Sequence, residues 1–201
     1  MDSGFHIEAK MPGELLKQCD IVDTPGFDAN ENDTAAAMSS LEEIHYIIFV
    51  LANRGLQQQE KELLLELFRK KVPVLLVMNC VEGRAMDRWI PQSEQNLAVM
   101  NSIEAWLTSV GCRAEKINGR MVYPCNFLFY WFLQEAFGKS IAYIDRPQSV
   151  ERHIRSSLEC QDIPYSRETV LEISGVEGLI RFLKERIGDY DFVTHEWRNS
   201  R

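Results

Sequence analysis

Residues 45–79 read HYIIFVLANRGLQQQEKELLLELFRKKVPVLLVMN, and this stretch decides the fold. Its two ends, 45–52 (HYIIFVLA) and 72–79 (VPVLLVMN), are short, continuous apolar runs. Runs without alternation suit strands buried on both faces of a parallel sheet. Between them Leu63, Leu64, Leu67 and Phe68 fall on one helical stripe, so the segment predicts strand, helix, strand.

Working outward, residues 121–125 (MVYPC) form a weaker strand candidate, because Pro124 cannot donate to a ladder. Leu97, Met100, Ile103, Leu107 and Val110 make a second helical stripe, stopped by Gly111. Near the end Val176, Leu179, Ile180, Leu183 and Ile187 recur at helical spacing. Ser174 and Glu177 predict a capping box at the start of that helix, and Gly188 its stop. Towards the N-terminus, residues 5–10 alternate weakly, Pro12-Gly13 is a turn pair, and residues 15–23 resume as an apolar stretch, which suggests a hairpin. Strands alternating with helices predict an α/β fold with a mostly parallel sheet.

Residues 127–137 (FLFYWFLQEAF) hold six aromatics. A helix docking a partner or a membrane would use such anchors. A segment with no polar face at 127–133 reads more simply as a helix buried all round. The 201 residues predict a single partial domain, with a core over 1–137, a less regular insertion over 138–173, a closing helix over 174–188 and a tail over 189–201.

Hydrophobic residues are 45% and charged residues 26%, ordinary for a globular chain and unlike a disordered or collagen-like one. The net charge of -8 argues against a nucleic-acid groove, which needs a basic face. Five scattered cysteines without C-x-x-C fit a reduced, cytoplasmic chain, and the four histidines never take metal-ligand spacing. The longest uncharged run, 121–134, is shorter than the ~20 residues a spanning helix needs. No G-x-S-x-G occurs, and the acidic pairs Glu42-Glu43 and Asp189, Asp191 read as solvated faces. No catalytic side chain is assigned.

The chemistry concentrates in Asp23-Thr24-Pro25-Gly26, at the end of the apolar run CDIVD. Ligands of open α/β sheets bind at the carboxyl ends of strands. A carboxylate there can hold a water on Mg²⁺, and a glycine leaves its backbone N–H open to a phosphate oxygen. An ordinary Pro-Gly turn is the plainer alternative.

DTPG, a helix, an apolar strand, a helix, and another apolar strand ending in Asn79 resemble the GTPase domain of the P-loop class. The stretches MPGELLKQCDIVDTPGFD and IIFVLANRGLQQQEKELL look most like the dynamin family of large GTPases and its bacterial relatives. The resemblance implies a three-layer P-loop GTPase-like domain that binds GTP. It implies that Asp23 acts on Mg²⁺ through water, that the Gly26 amide senses the γ-phosphate, and that Thr24 and Pro25 shape the loop.

Where that family has Asn-Lys-x-Asp, this chain has Asn79-Cys80-Val81-Glu82. Asn79 matches. Glu82 keeps a carboxylate for the guanine N–H groups with one extra methylene, and Cys80 loses the aliphatic stem of the lysine that would lie over the base. A strand end whose Asn79 bonds its own backbone is the competing reading. The family's next base-contacting loop, Ser-Ala, falls near Pro124-Cys125-Asn126, where no contact is expected. SGVEGLIRFLKE looks like the closing helix of the domain, a packing element.

No G-x-x-x-x-G-K-[ST] precedes Asp23, so the first strand and the phosphate loop of the family are expected to be missing. Gly138-Lys139-Ser140 lacks the partner glycine, having Leu133 in its place. Loss of a central strand would leave unpaired inner edges. These would be resolved by an upstream piece of a longer gene, by the neighbouring strands, or by another chain. The expectation is therefore a truncated GTP-binding domain, hydrolysing GTP weakly or not at all by itself. The intact family self-assembles and remodels membranes, which implies a homo-oligomer or protein partner and peripheral membrane association. The alternative is a nucleotide-free pseudo-GTPase module that binds a protein.

Overall fold

The computed structural model describes residues 44–81, 86–130, 132 and 147–189. The hairpin expected over 5–23, the DTPG tetrad, Glu82 and the 138–140 decoy lie outside the described residues. The chain divides into two compact units, Glu43–Arg181 and a second made of Met1–Glu42 with Phe182–Arg201.

The larger unit contains β1 (Ile47–Ala52), α1 (Gln58–Arg69), β2 (Val74–Asn79), a short 3-10 turn (Met86–Trp89), α2 (Glu94–Ser109) and β3 (Val122–Cys125). It also contains α3 (Pro147–Glu159), α4 (Arg167–Ser174) and the first part of α5 (Val176–Asp189). The described part of the second unit, from Phe182 onward, continues α5.

The three described strands are parallel in the order β1-β2-β3, with Ala52 opposite Asn79 and Asn79 opposite Cys125. This is the α/β architecture that the periodicity predicts. Val74, Leu75, Leu76, Val77 and Met78 are all buried, so β2 is covered on both faces. β1 corrects the expectation. It alternates, with Ile48 44% and Val50 55% exposed while Ile47, Phe49 and Leu51 are buried, so only one of its faces is packed. Pro124 sits in β3 at the margin of the described sheet, where a missing donor is tolerated.

The helices are set by local signals. Glu60 Oε2 accepts the Gln57 N–H at 2.7 Å and pairs with Arg54 at 3.0 Å, fixing the start of α1. At the start of α2 the Ser93 hydroxyl accepts the Asn96 N–H at 3.3 Å. Gly111 ends that helix as expected: its φ is +73°, Cys112 N–H donates to Leu107 C=O at 2.9 Å and Gly111 N–H to Thr108 C=O at 3.1 Å. Those two bonds are a Schellman cap. Met100, Ile103 and Leu107 are buried, but Val110 is 40% exposed because it stands past the last turn.

The end of the chain departs further from expectation. Ser174 is not the cap of a box with Glu177; it is the last residue of α4, with Gly175 at φ +72° between two helices. Its hydroxyl donates to Leu171 C=O at 2.6 Å and accepts the Val176 N–H at 3.3 Å. Gly188 lies within α5, which runs to Asp189. The expected irregular stretch is helical over 147–159 and 167–174. These helices, with 127–130, enclose a second apolar cluster of Ile90, Phe129, Phe132, Ile154, Leu158 and Val170. Phe129 and Phe132 thus serve as core, while Phe127, Leu128 and Tyr130 are half-buried.

Candidate functional site: the carboxyl rim of the sheet

Because the strands are parallel, their carboxyl ends meet on one rim, the edge at which ligands of such sheets bind. β1 runs out at Asn53, β2 at Asn79-Cys80 and β3 at Asn126. Asparagine amides, rather than carboxylates, organise this rim.

Asn126 is wholly buried and uses its amide in both directions. Its Nδ2 donates to the carbonyls of Cys80 and Trp89, each at 2.8 Å, and its Oδ1 accepts the Phe129 N–H at 3.0 Å. Its own backbone N–H donates to Ser174 C=O at 2.8 Å. One side chain therefore ties the loop after β2 to the end of β3 and caps the helical turn at 127–130. A second knot joins the end of β1 to the start of α2. Asn53 Nδ2 donates to Arg88 C=O at 3.1 Å and to Asn96 Oδ1 at 3.2 Å, and Asn96 Nδ2 donates to the carbonyls of Arg88 and Ile90, each at 2.8 Å. The Arg88 guanidinium closes the loop by donating through Nη2 to Asn53 C=O.

Of the site residues expected from sequence, only Asn79 lies among the described ones; Asp23, Thr24, Pro25, Gly26 and Glu82 lie outside them. Asn79 is half-buried, and its Oδ1 accepts the Phe127 N–H at 3.4 Å, so it bonds a distant segment and not its own backbone. Its amide nitrogen makes no hydrogen bond to any described residue. Cys80, by contrast, faces inward and is fully buried, with its N–H on Cys125 C=O at 2.7 Å. Burial pushes its thiol up to about 12, and the charge of Arg88 offsets part of that rise. Burial also raises the Cys125 thiol, with the neighbouring Cys80 adding to the effect. Both thiols are protonated packing groups, and position 80 presents nothing to a ligand.

Sequence reading passed over Asn53, Arg88 and Asn96, and considered Asn126 only as a loop position where no base contact is expected. Only Asn126 carried a usable signal, an asparagine between a strand and an aromatic helix in cap position. Among the described residues no three His, Cys, Asp or Glu side chains group to hold a metal ion, and no helix is long and apolar enough to cross a membrane.

Comparison with known proteins agrees with this geometry. Residues 6–80 match the family described as 50S ribosome-binding GTPase, a span that contains DTPG and closes on Asn79-Cys80. A stretch of 58 residues, 28% of this chain, is 41% identical to Dynamin-like protein 2 of Campylobacter jejuni subsp. jejuni. The chain covers 9% of the length of that relative. No solved structure matches. The parallel sheet and the matched span define a P-loop GTPase-like domain. The similarity to a dynamin-like protein over that short stretch supports a GTPase of the dynamin-like kind.

Proposed function

We propose that this chain is the GTP-binding portion of a dynamin-like GTPase, with the nucleotide seated on the carboxyl rim. The observation that carries the reading is Asn79: a half-buried amide at the end of the central described strand, anchored through its oxygen and with its nitrogen bonded to no described residue. An amide N–H is the donor that a purine ring nitrogen or carbonyl requires. Glu82, three residues on, supplies a carboxylate for the guanine N–H groups. Asp23 would hold Mg²⁺ through water, Gly26 would offer its amide to the γ-phosphate, and Thr24 and Pro25 would shape the loop between. When bound, Mg²⁺ supplies charge neutralisation on the phosphates.

Hydrolysis by the 201-residue chain itself is weak or absent, because its sequence encodes no G-x-x-x-x-G-K-[ST] amides and lysine to cradle the triphosphate. Self-assembly and peripheral membrane association belong to the same reading as secondary proposals.

The test is a titration of the purified chain with fluorescent GTP and Mg²⁺, with Asp23→Ala and Asn79→Ala alongside. Saturable binding weakened by each substitution supports the reading. A flat titration, with a protein partner recovered by pull-down instead, replaces it with the interaction-module alternative.

A further inference from the structure

The sequence contains a single Asn-Gly pair, Asn118-Gly119. Both residues are exposed and both stand in the left-handed region, with φ of +53° and +82°. Ile117 and Arg120 exchange backbone hydrogen bonds across them, each at 3.1 Å, so the pair forms the two-residue loop of a small hairpin just ahead of β3. The flanks of that loop are pinned: Ile117 is buried, and Arg120 donates through Nη2 to Asn101 at 2.7 Å and to Glu104 at 3.2 Å. The loop itself is held by the two backbone bonds. Among the described residues none hydrogen-bonds the Asn118 side chain, and a Cβ built on Gly119 would meet nothing within 4 Å. Asn53, Asn96 and Asn126 are the opposite case, buried and with their amides bonded.

We propose that Asn118-Gly119 is a site of spontaneous backbone modification, at which Asn118 deamidates through a succinimide to isoaspartate and so dismantles the turn that leads into β3. The Gly119 amide nitrogen, deprotonated by hydroxide, attacks the side-chain carbonyl carbon of Asn118. The new C–N bond closes a five-membered ring, and the side-chain nitrogen takes up a proton and leaves as ammonia. Water then opens the ring at either carbonyl, giving aspartate or isoaspartate, so one water is consumed, one ammonia is released and nothing is oxidised or reduced. A glycine after the asparagine favours the attack because it brings no Cβ to crowd the ring. Closure swings the Gly119 nitrogen onto the Asn118 side chain, so the reaction proceeds through an opened turn, a local excursion that breaks only the two backbone bonds. Isoaspartate carries an extra methylene in the main chain and cannot restore the two-residue loop. Arg120 then loses its placement on Glu104, whose other carboxylate oxygen receives the Met121 and Val122 N–H groups at 2.9 and 3.1 Å.

The experiment ages the purified 201-residue chain at mildly alkaline pH, folded and in urea, and follows residue 118 by peptide mass mapping and isoaspartyl methyltransferase labelling, with Asn118→Gln and Asn118→Asp alongside. The folded chain is expected to gain isoaspartate at 118 ahead of every other asparagine, at a rate that rises in proportion to hydroxide and stays below the rate in urea. Asn118→Gln should remain unlabelled at that position, because its longer side chain would have to close a six-membered ring. Thermal unfolding of the aged wild type should show a lower-melting fraction that matches its isoaspartate content, whereas Asn118→Asp, which keeps the length of the main chain, should melt close to the fresh wild type. If Asn118→Gln does not fold, the folded and urea arms of the wild type decide. A folded chain whose Asn118 stays intact while the urea-unfolded chain converts overturns the proposal, as does conversion spread evenly over exposed asparagines such as Asn101. Isoaspartate at 118 without a lower-melting fraction overturns the loss of the turn.

Discussion

Replacing Asn126 by alanine should be among the most damaging single substitutions in the described structure. The change removes two donors and one acceptor from a fully buried position and leaves the carbonyls of Cys80 and Trp89 and the Phe129 N–H without that partner. A buried polar group deprived of its partner costs about 1–3 kcal/mol, and loss of a helix cap about 1 kcal/mol. Allowing for relaxation and non-additivity, the three losses together destabilise the fold by roughly 3–5 kcal/mol. Against a typical stability of ~5–15 kcal/mol that is a large share. For a chain of this size it corresponds to a fall in Tm of about 6–20 °C.

The assay is urea unfolding at constant temperature, supported by thermal scans, with m checked for constancy. Asn126→Asp makes a sharp control, because it keeps the cap acceptor yet turns a carboxylate towards two carbonyls. It should be at least as damaging at pH 7 and partly recover in acid, when the protonated carboxyl regains one donor. A loss below about 1 kcal/mol for Asn126→Ala would refute the reasoning, since no single one of the three bonds could then be buried and unreplaced.

Other predictions follow from packing and charge. Glu104 Oε1 accepts the Met121 and Val122 N–H groups at 2.9 and 3.1 Å, so Glu104→Ala should cost about 1–3 kcal/mol and Glu104→Gln clearly less, by the same unfolding assay. Gly175→Ala should lose at least about 1 kcal/mol, because φ is +72° and a Cβ there would stand 2.6 Å from the Pro124 carbonyl oxygen. Cys80 has a thiol raised from 9.0 to about 12, so its burial contributes stability that is intact below pH 9 and is lost as pH rises towards 12; alkaline titration of unfolding should show a decline that Cys80→Ala reduces. In the native state a thiol-alkylating reagent at pH 8 should label exposed Cys160 and spare Cys80 and Cys125, and equal labelling of all three would contradict the inward packing.

The sequence discloses elements whose burial is complete or whose ends are punctuated. The run VLLVMN is β2 because a strand covered on both faces has no room for polar residues, and Gly111 announces a cap that only a left-handed residue closes. The helices at 147–159 and 167–174 escape notice because their buried side chains, among the described ones, are few and embedded among charges. In α3 the apolar contact rests on Ile154 and Leu158, with Arg152, Arg155 and Glu159 interleaved. Gly175 misleads in another way. The apolar period runs on across it from Leu171 and Ile173 to Val176, so one serine reads as a cap when it closes the preceding helix. At the site, Asn79 is legible from its place at a strand end, whereas Arg88 and Asn96 acquire meaning only when the turn after β2 brings them against Asn53.

That arrangement bears on how the carboxyl rim of the sheet is held without a ligand to order it. Backbone carbonyls at the ends of parallel strands need donors, and a buried carbonyl left unpaired is expensive. Here the side-chain amides of Asn53, Asn96 and Asn126 supply them, capturing the carbonyls of Cys80, Arg88, Trp89 and Ile90 from both sides of the turn. Each of those amides is consumed by scaffold, so none can also serve a ligand. Asn79 differs: its amide is held at the oxygen and its nitrogen bonds no described residue, which is the condition a recognition residue must meet: oriented by the fold, but not exhausted by it. The division predicts two distinct signatures: a scaffold variant such as Asn126→Ala lowers stability and weakens nucleotide binding together, while Asn79→Ala weakens GTP with little loss of Tm, as read from binding titrations and thermal scans run side by side.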